Sequence, residues 1–119
     1  MRTRDRGLVG RTGEDAALAA YEDRGFHLLA RNWRCSIGEI DLVLHRRGLL
    51  VFCEVKTRTG STFGGGFDGV TREKRSKLRR LAEAFLLLER PPHTNVRFDV
   101  ASASIRGEQV AVELFEDAF

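Results

Sequence analysis

The apolar positions of this chain change their period along its length, and each change marks an element. Ile40–His45 and Leu49–Lys56 are short apolar runs that meet at Arg47-Gly48, the pattern of a two-stranded hairpin. Val96–Ile105 and Glu108–Phe115 alternate at period two, with Arg106-Gly107 between them as a second turn. Between the two pairs, Leu78, Leu81, Ala82, Phe85 and Leu88 recur every three or four residues. They predict a helix over Thr71–Arg90, stopped by Pro91-Pro92. Phe26–Cys35 reads as a strand leading into the first hairpin. Upstream, Ala16, Ala17, Leu18, Ala19, Ala20 and Tyr21 predict a first helix, opened by Thr12 as cap and closed by Gly25. Glu14 then falls in the first turn, where a carboxylate suits the positive end of the helix dipole.

The order is helix, three strands, helix, two strands. It predicts one α/β domain over residues 12–119, with a mixed sheet of about five strands flanked by two main helices. The third strand, second helix and fourth strand can form one right-handed crossover. Residues 1–11 carry Arg2, Arg4, Arg6 and Arg11 with little to bury, and read as a flexible basic arm. Thr57–Gly69 is rich in glycine and reads as a mobile loop, with Phe63 and Phe67 pinning it to the core rather than stacking on bases, the alternative so open a segment leaves. It is no phosphate-cradling P-loop, because no Gly-Lys-Ser/Thr follows the glycines.

Composition narrows the class of protein. A chain of 119 residues suffices for one core, and 42% hydrophobic with 31% charged residues is ordinary globular usage rather than disorder. Cys35 and Cys53 lack metal-ligand spacing and read as reduced packing residues of a cytosolic protein. The N-terminus has no apolar signal core and no apolar run approaches a membrane span, so a cytoplasmic location is expected. The formal charge of +3 favours an acidic partner such as nucleic acid only in combination with where the charge sits. Arg72, Lys74, Arg75, Lys77, Arg79 and Arg80 crowd the first half of the second helix. They sit just after the loop that follows Lys56, at the end where the chemistry below is placed.

That chemistry lies in Asp41, Glu54 and Lys56, charged residues set into apolar strands. If Arg46 faces Leu49 across the turn, the register runs on to Asp41 opposite Glu54, with Cβ atoms about 4.5–5.5 Å apart. Lys56 follows on the same face. Two carboxylates at that distance repel, and a divalent cation between them resolves the repulsion. The plainer alternative is a surface ion cluster neutralised by Lys56, although exposed pairs of this kind contribute only about 0–1 kcal/mol. By position alone Glu14 reads as a helix-dipole carboxylate and Asp99 as structural. His45 is roughly 13 Å along the strand from Asp41, too far to share an ion, and all three histidines are set aside.

Asp41 with Glu54-Val55-Lys56 resembles the PD-(D/E)-x-K nuclease superfamily. Gly38-Glu39-Ile40-Asp41, Phe52-Cys53-Glu54-Val55-Lys56-Thr57-Arg58, Arg31-Asn32 and Arg97-Phe98-Asp99-Val100 resemble, more narrowly, the bacterial YraN family, itself similar to archaeal Holliday-junction resolvases. The resemblance covers about Gly10 to Val100 and implies a restriction-endonuclease-like αβββαβ core. It implies Asp41, Glu54 and Glu14 as ligands of Mg²⁺ or Mn²⁺, with the Val55 carbonyl as a plausible further ligand and Lys56 beside the attacking water. Ile40 stands where the superfamily signature has proline. Glu39 belongs to the family wording but receives no ligand role. DNA, branched DNA included, would be the substrate, contacted by Arg58, Arg72, Lys74, Arg75 and Lys77, and resolvase-like paired cuts suggest a homodimer. Two other readings stay open: a nucleic-acid-binding module of the same fold without turnover, and a structural or assembly factor.

Overall fold

The computed structural model describes residues 6–59 and 71–118. Seven elements follow in order: α1 (Arg6–Asp23), β1 (His27–Arg34), β2 (Glu39–Arg46), β3 (Leu49–Thr59), α2 (Arg72–Glu89), β4 (Asn95–Arg106) and β5 (Gln109–Phe115). The five strands form one sheet in sequence order, antiparallel throughout except for the parallel β3–β4 pair, which α2 connects. This is the mixed α/β domain expected from the sequence. The first hairpin has the predicted register, from Arg46↔Leu49 through Leu42↔Cys53.

Two apolar layers cover the sheet. On the α1 side, Ala17, Tyr21 and Phe26 pack with Leu42, Leu44, Val51, Cys53 and Ala101. On the α2 side, Leu78, Leu81, Ala82 and Phe85 pack with Ile40, Val43, Leu50 and Phe52. Phe85 meets the rings of Phe52 and Trp33 edge-on, the arrangement that aligns ring edge with ring face. Leu88, predicted on the buried stripe, is 67% exposed, and the last turn of α2 packs through Leu86 instead. Cys35 and Cys53 are both free thiols.

The first helix differs from expectation at its start. It begins at Arg6, not Thr12, so residues 6–11 are helical and not part of a loose arm, while residues 1–5 lie outside the described residues. Thr12 does not cap. Its hydroxyl donates back to the Leu8 carbonyl at 2.9 Å, the bond a threonine makes inside a helix. Glu14 therefore stands midway along α1, away from the helix end and its dipole. The other terminus is as read. Phe26 N–H bonds the Tyr21 carbonyl and Gly25 N–H that of Glu22, a Schellman close that needs Gly25 at φ +87°.

Two glycines set how closely the helices approach the sheet. A Cβ on Gly13 would lie 2.0 Å from Oγ1 of Thr57, so the bare backbone lets α1 rest directly on β3. A Cβ on Gly38 would lie 2.9 Å from Cε of Lys77, which places that side chain against the start of β2. β3 continues to Thr59, so residues 57–59 are strand where a loop is expected, and residues 60–70, with Phe63 and Phe67, lie outside the described residues.

Candidate metal centre

Regular alternation fails at one position of β2, and the acidic residues gather there. Ile40 belongs to the α2-side layer and Leu42 to the α1-side layer, although two residues apart in a strand share a face. The β2–β3 ladder stops at Leu42↔Cys53. The predicted Asp41↔Glu54 pair is absent from it. In its place the Val55 N–H donates to Oδ2 of Asp41 at 2.8 Å, a side-chain acceptor standing in for the missing strand partner. Val55 thus meets the site through its N–H, on the strand edge where its carbonyl also lies.

This turn of the strand brings Asp41 to Glu14 and Glu39, with one carboxylate oxygen from each of the three within 4.8 Å of the others. Each carboxylate is held from behind. Oε1 of Glu14 accepts from Nε of Arg31 and from Nδ2 of Asn32, both at 3.2 Å. Oε1 of Glu39 pairs with Arg34 at 3.2 Å. The second oxygen of each group has no protein donor among the described residues, and the three can turn toward a common point. Glu39 is the residue that sequence reasoning leaves without a role. Its signal is nonetheless present, since residues 39 and 41 are two apart and share a strand face.

Glu54 lies one residue past the end of the ladder, and its charge is the largest of those that raise the Asp41 pKa. It lines a cleft of about 180 Å³ on the α2 side, together with Glu39, Lys74, Lys77, Leu78 and Leu81. Glu39 borders both the trio and the cleft, so the acidic edge is continuous from Glu14 to Glu54. Lys56 is half-buried, one step beyond Glu54 on the same strand face, and Arg58 one step further. Of the basic residues expected to meet nucleic acid, Lys74 and Lys77 line the cleft. Arg72 and Arg75 are exposed on α2 but do not line it.

The electrostatics single out Asp41. Burial raises its pKa from 3.8 to about 7, opposed by the Val55 N–H and reinforced by the negative charges of Glu54, Glu14 and Glu39. A carboxyl so placed keeps its full charge at neutral pH only if a cation joins it. The donors are hard oxygens, which fit Mg²⁺ or Mn²⁺ and suit no thiolate-seeking metal. The residues present therefore fit the expected ion, and Glu14, Glu39 and Asp41 are the ones that would hold it.

The fold and this acidic edge define a small α/β domain with a candidate divalent-metal centre where β2 parts from β3. The model of the family described as Uncharacterised protein family UPF0102 matches residues 13–103. A UPF0102 protein of Parafrankia sp. (strain EAN1pec) is 48% identical over 79% of this chain and 80% of its own length. UPF0102 proteins of Roseiflexus castenholzii and Pelotomaculum thermopropionicum are 42% and 40% identical, over 88% and 96% of this chain and 87% and 97% of theirs. The chain belongs to the UPF0102 family. Among the described residues, no helix is long and apolar enough to cross a membrane.

Proposed function

We propose that this protein is a metal-dependent endonuclease of the PD-(D/E)-x-K superfamily, within the YraN group, hydrolysing phosphodiester bonds of DNA in the cytoplasm. Branched DNA met in repair or recombination is the substrate this reading favours. The observation that carries it is the convergence of Glu14, Glu39 and Asp41, with Asp41 raised to about 7, beside a cleft lined by two lysines. Mg²⁺ or Mn²⁺, when bound, supplies a bound water of lowered pKa and positive charge at the phosphoryl oxygens. The chain's own residues do the rest. Glu14, Glu39 and Asp41 hold the ion. Lys74 and Lys77 bring positive charge to the phosphate backbone along the cleft. Glu54 sets the cleft's acidic wall, and Lys56, next along β3, is within the same region to hydrogen-bond an incoming water.

The test is cleavage of a panel of junction, flap, duplex and single-stranded DNA by purified protein with Mg²⁺ or Mn²⁺. At least one substrate is cut, and Asp41→Ala abolishes the cut. Unchanged cleavage by Asp41→Ala would refute the assignment. Lys74 and Lys77 along the cleft serve equally one rival, a nucleic-acid-binding module without turnover. Calorimetry separates the two, because the module takes up no divalent ion.

A further inference from the structure

At the opposite end of β2 from the acidic trio, a pocket of about 450 Å³ is lined by Arg24, Gly25, His27, His45, Arg46 and Arg47. Three arginines and two histidines make its wall, and no acidic residue lines it. We propose that this pocket is a phosphate-binding site that grips the nucleic-acid backbone away from the metal centre. The proposal rests on the reading that the substrate is nucleic acid.

The pocket is built, not a chance gathering of surface charge. Arg46 is fixed, its guanidinium donating to the Arg24 carbonyl and lying 4.4 Å from the ring centroid of Phe26. Arg24 is held by Glu116 at 3.0 Å. His27 and His45 are direct cross-strand partners on β1 and β2, so their imidazoles leave the same face side by side. Arg47 occupies the hairpin turn at φ +49° and is exposed. Among the described residues no carboxylate pairs with Arg47, His27 or His45. Two anchored arginines thus shape the wall, while one arginine and two imidazoles keep free donors. A concave cationic site with planar, forked donors suits a phosphate oxygen cluster better than a flat anionic membrane.

Its position gives it a use. From Asp41 to His45 and Arg47 is four to six strand residues, roughly 13–20 Å. At about 3.4 Å of helix axis per nucleotide of one strand, that separation spans roughly four to six base steps. β2 itself is buried under both helices, so its two ends are what a nucleic acid reaches, with the metal centre at one and this pocket at the other.

The experiment measures DNA affinity against salt for the full chain and two variants, Arg47→Asn and His27→Gln/Arg47→Asn. Asparagine tolerates the positive φ, and unchanged thermal midpoints confirm folding. The expected result is roughly three- to tenfold weaker binding of a 20-base-pair duplex and a salt slope shallower by about 0.9 for each phosphate no longer neutralised. Mg²⁺ and Mn²⁺ uptake by calorimetry stays at the parent value. Wild-type affinity and slope in both variants would overturn the inference, as would a weakening confined to binding of an acidic polyglutamate peptide. A parent protein that takes up no ion and cuts nothing, yet binds DNA through Arg47, would sink the nuclease reading and leave the pocket standing.

Discussion

Asn32 donates its side-chain amide to Oε1 of Glu14 at 3.2 Å from a backbone held at φ +53° in the middle of a strand. A left-handed residue inside a strand is costly for any side chain but glycine, and asparagine bears it best. That conformation delivers the amide, with the guanidinium of Arg31, to the carboxylate nearest the core of the site. Arg31-Asn32 is therefore a clamp on Glu14, and it explains why this pair stands in β1.

The clamp predicts a separation of strain from function. Asn32→Gly keeps the backbone angle without the amide, so the fold is retained while Mg²⁺ or Mn²⁺ affinity falls roughly tenfold, as for other outer partners of metal ligands. Asn32→Ala loses the amide and also carries the left-handed penalty of about 1–2 kcal/mol. Calorimetric titration and thermal unfolding of the two variants measure the two effects. Parent ion affinity in Asn32→Gly would remove the clamp.

Asp41 gives the metal-free protein a distinctive pH dependence. Its pKa is about 7 when folded, against 3.8 for the unperturbed group. Between roughly pH 4 and pH 7 the folded form holds the proton that the unfolded chain has lost, so this group's contribution to stability falls as pH rises through that window and levels off above it. Asp41→Asn removes the cost while its amide oxygen still accepts from Val55 N–H. The variant is expected to be more stable than the parent by about 1–3 kcal/mol at pH 8 without metal, and equal to it near pH 4. Saturating Mg²⁺ raises the unfolding midpoint of the parent and not of the variant. Unfolding curves at both pH values check the sign.

How far the sequence discloses this site depends on which contacts are local. The hairpin register follows from the turn at Arg47-Gly48 and the apolar runs beside it, and β2 and β3 pair accordingly as far as Leu42↔Cys53. One residue further the ladder stops, because the Asp41 carboxylate accepts from Val55 N–H in place of a backbone partner and also meets Glu14 of α1. Periodicity assumes an unbroken ladder and cannot announce where a side chain interrupts it. The start of α1 escapes prediction for a similar reason. Gly7, Gly10 and Gly13 argue against a helix by intrinsic preference, whereas buried Gly13 is selected by its closeness to Thr57, which only the tertiary fold reveals. Glu39 is legible, since it is two residues from Asp41, but strand spacing alone gives no reason to prefer it over Glu54.

Asp99 shows that not every buried acid here is chemical. It is fully buried and accepts from Tyr21 Oη at 2.7 Å, from Nε and Nη2 of Arg97 at 2.9 Å each, and from Asp117 N–H at 2.9 Å. Burial, with the adjacent charge of Asp99, pushes the Tyr21 phenol far above its ordinary range, so it remains a donor. Asp99→Ala strands Arg97 and two further donors, and a destabilisation of about 3–5 kcal/mol is expected on urea unfolding. Tyr21→Phe removes one bond and costs about 1–2 kcal/mol. Mn²⁺ affinity in Tyr21→Phe stays at the parent value, because the network does not touch the acidic trio.

The packing of Gly13 on Thr57 ties stability to the site most directly. Glu14 is the next residue along α1, so the distance at which the helix rests on β3 fixes how far that carboxylate reaches toward Asp41. Gly13→Ala puts a methyl 2.0 Å from Oγ1 of Thr57, and either the hydroxyl rotates away or the helix lifts. Overpacking of this kind costs about 1–3 kcal/mol. If the helix lifts, ion affinity falls along with stability, and Thr57→Ala in the same chain restores both in part by removing the atom in the way. If only the hydroxyl moves, stability drops slightly and ion affinity holds. A double-mutant cycle read by both unfolding and calorimetry distinguishes the two. The geometry favours the first outcome, since Cβ and Cγ2 of Thr57 also lie at 3.0 Å from the added methyl and neither clears by rotation of the hydroxyl alone.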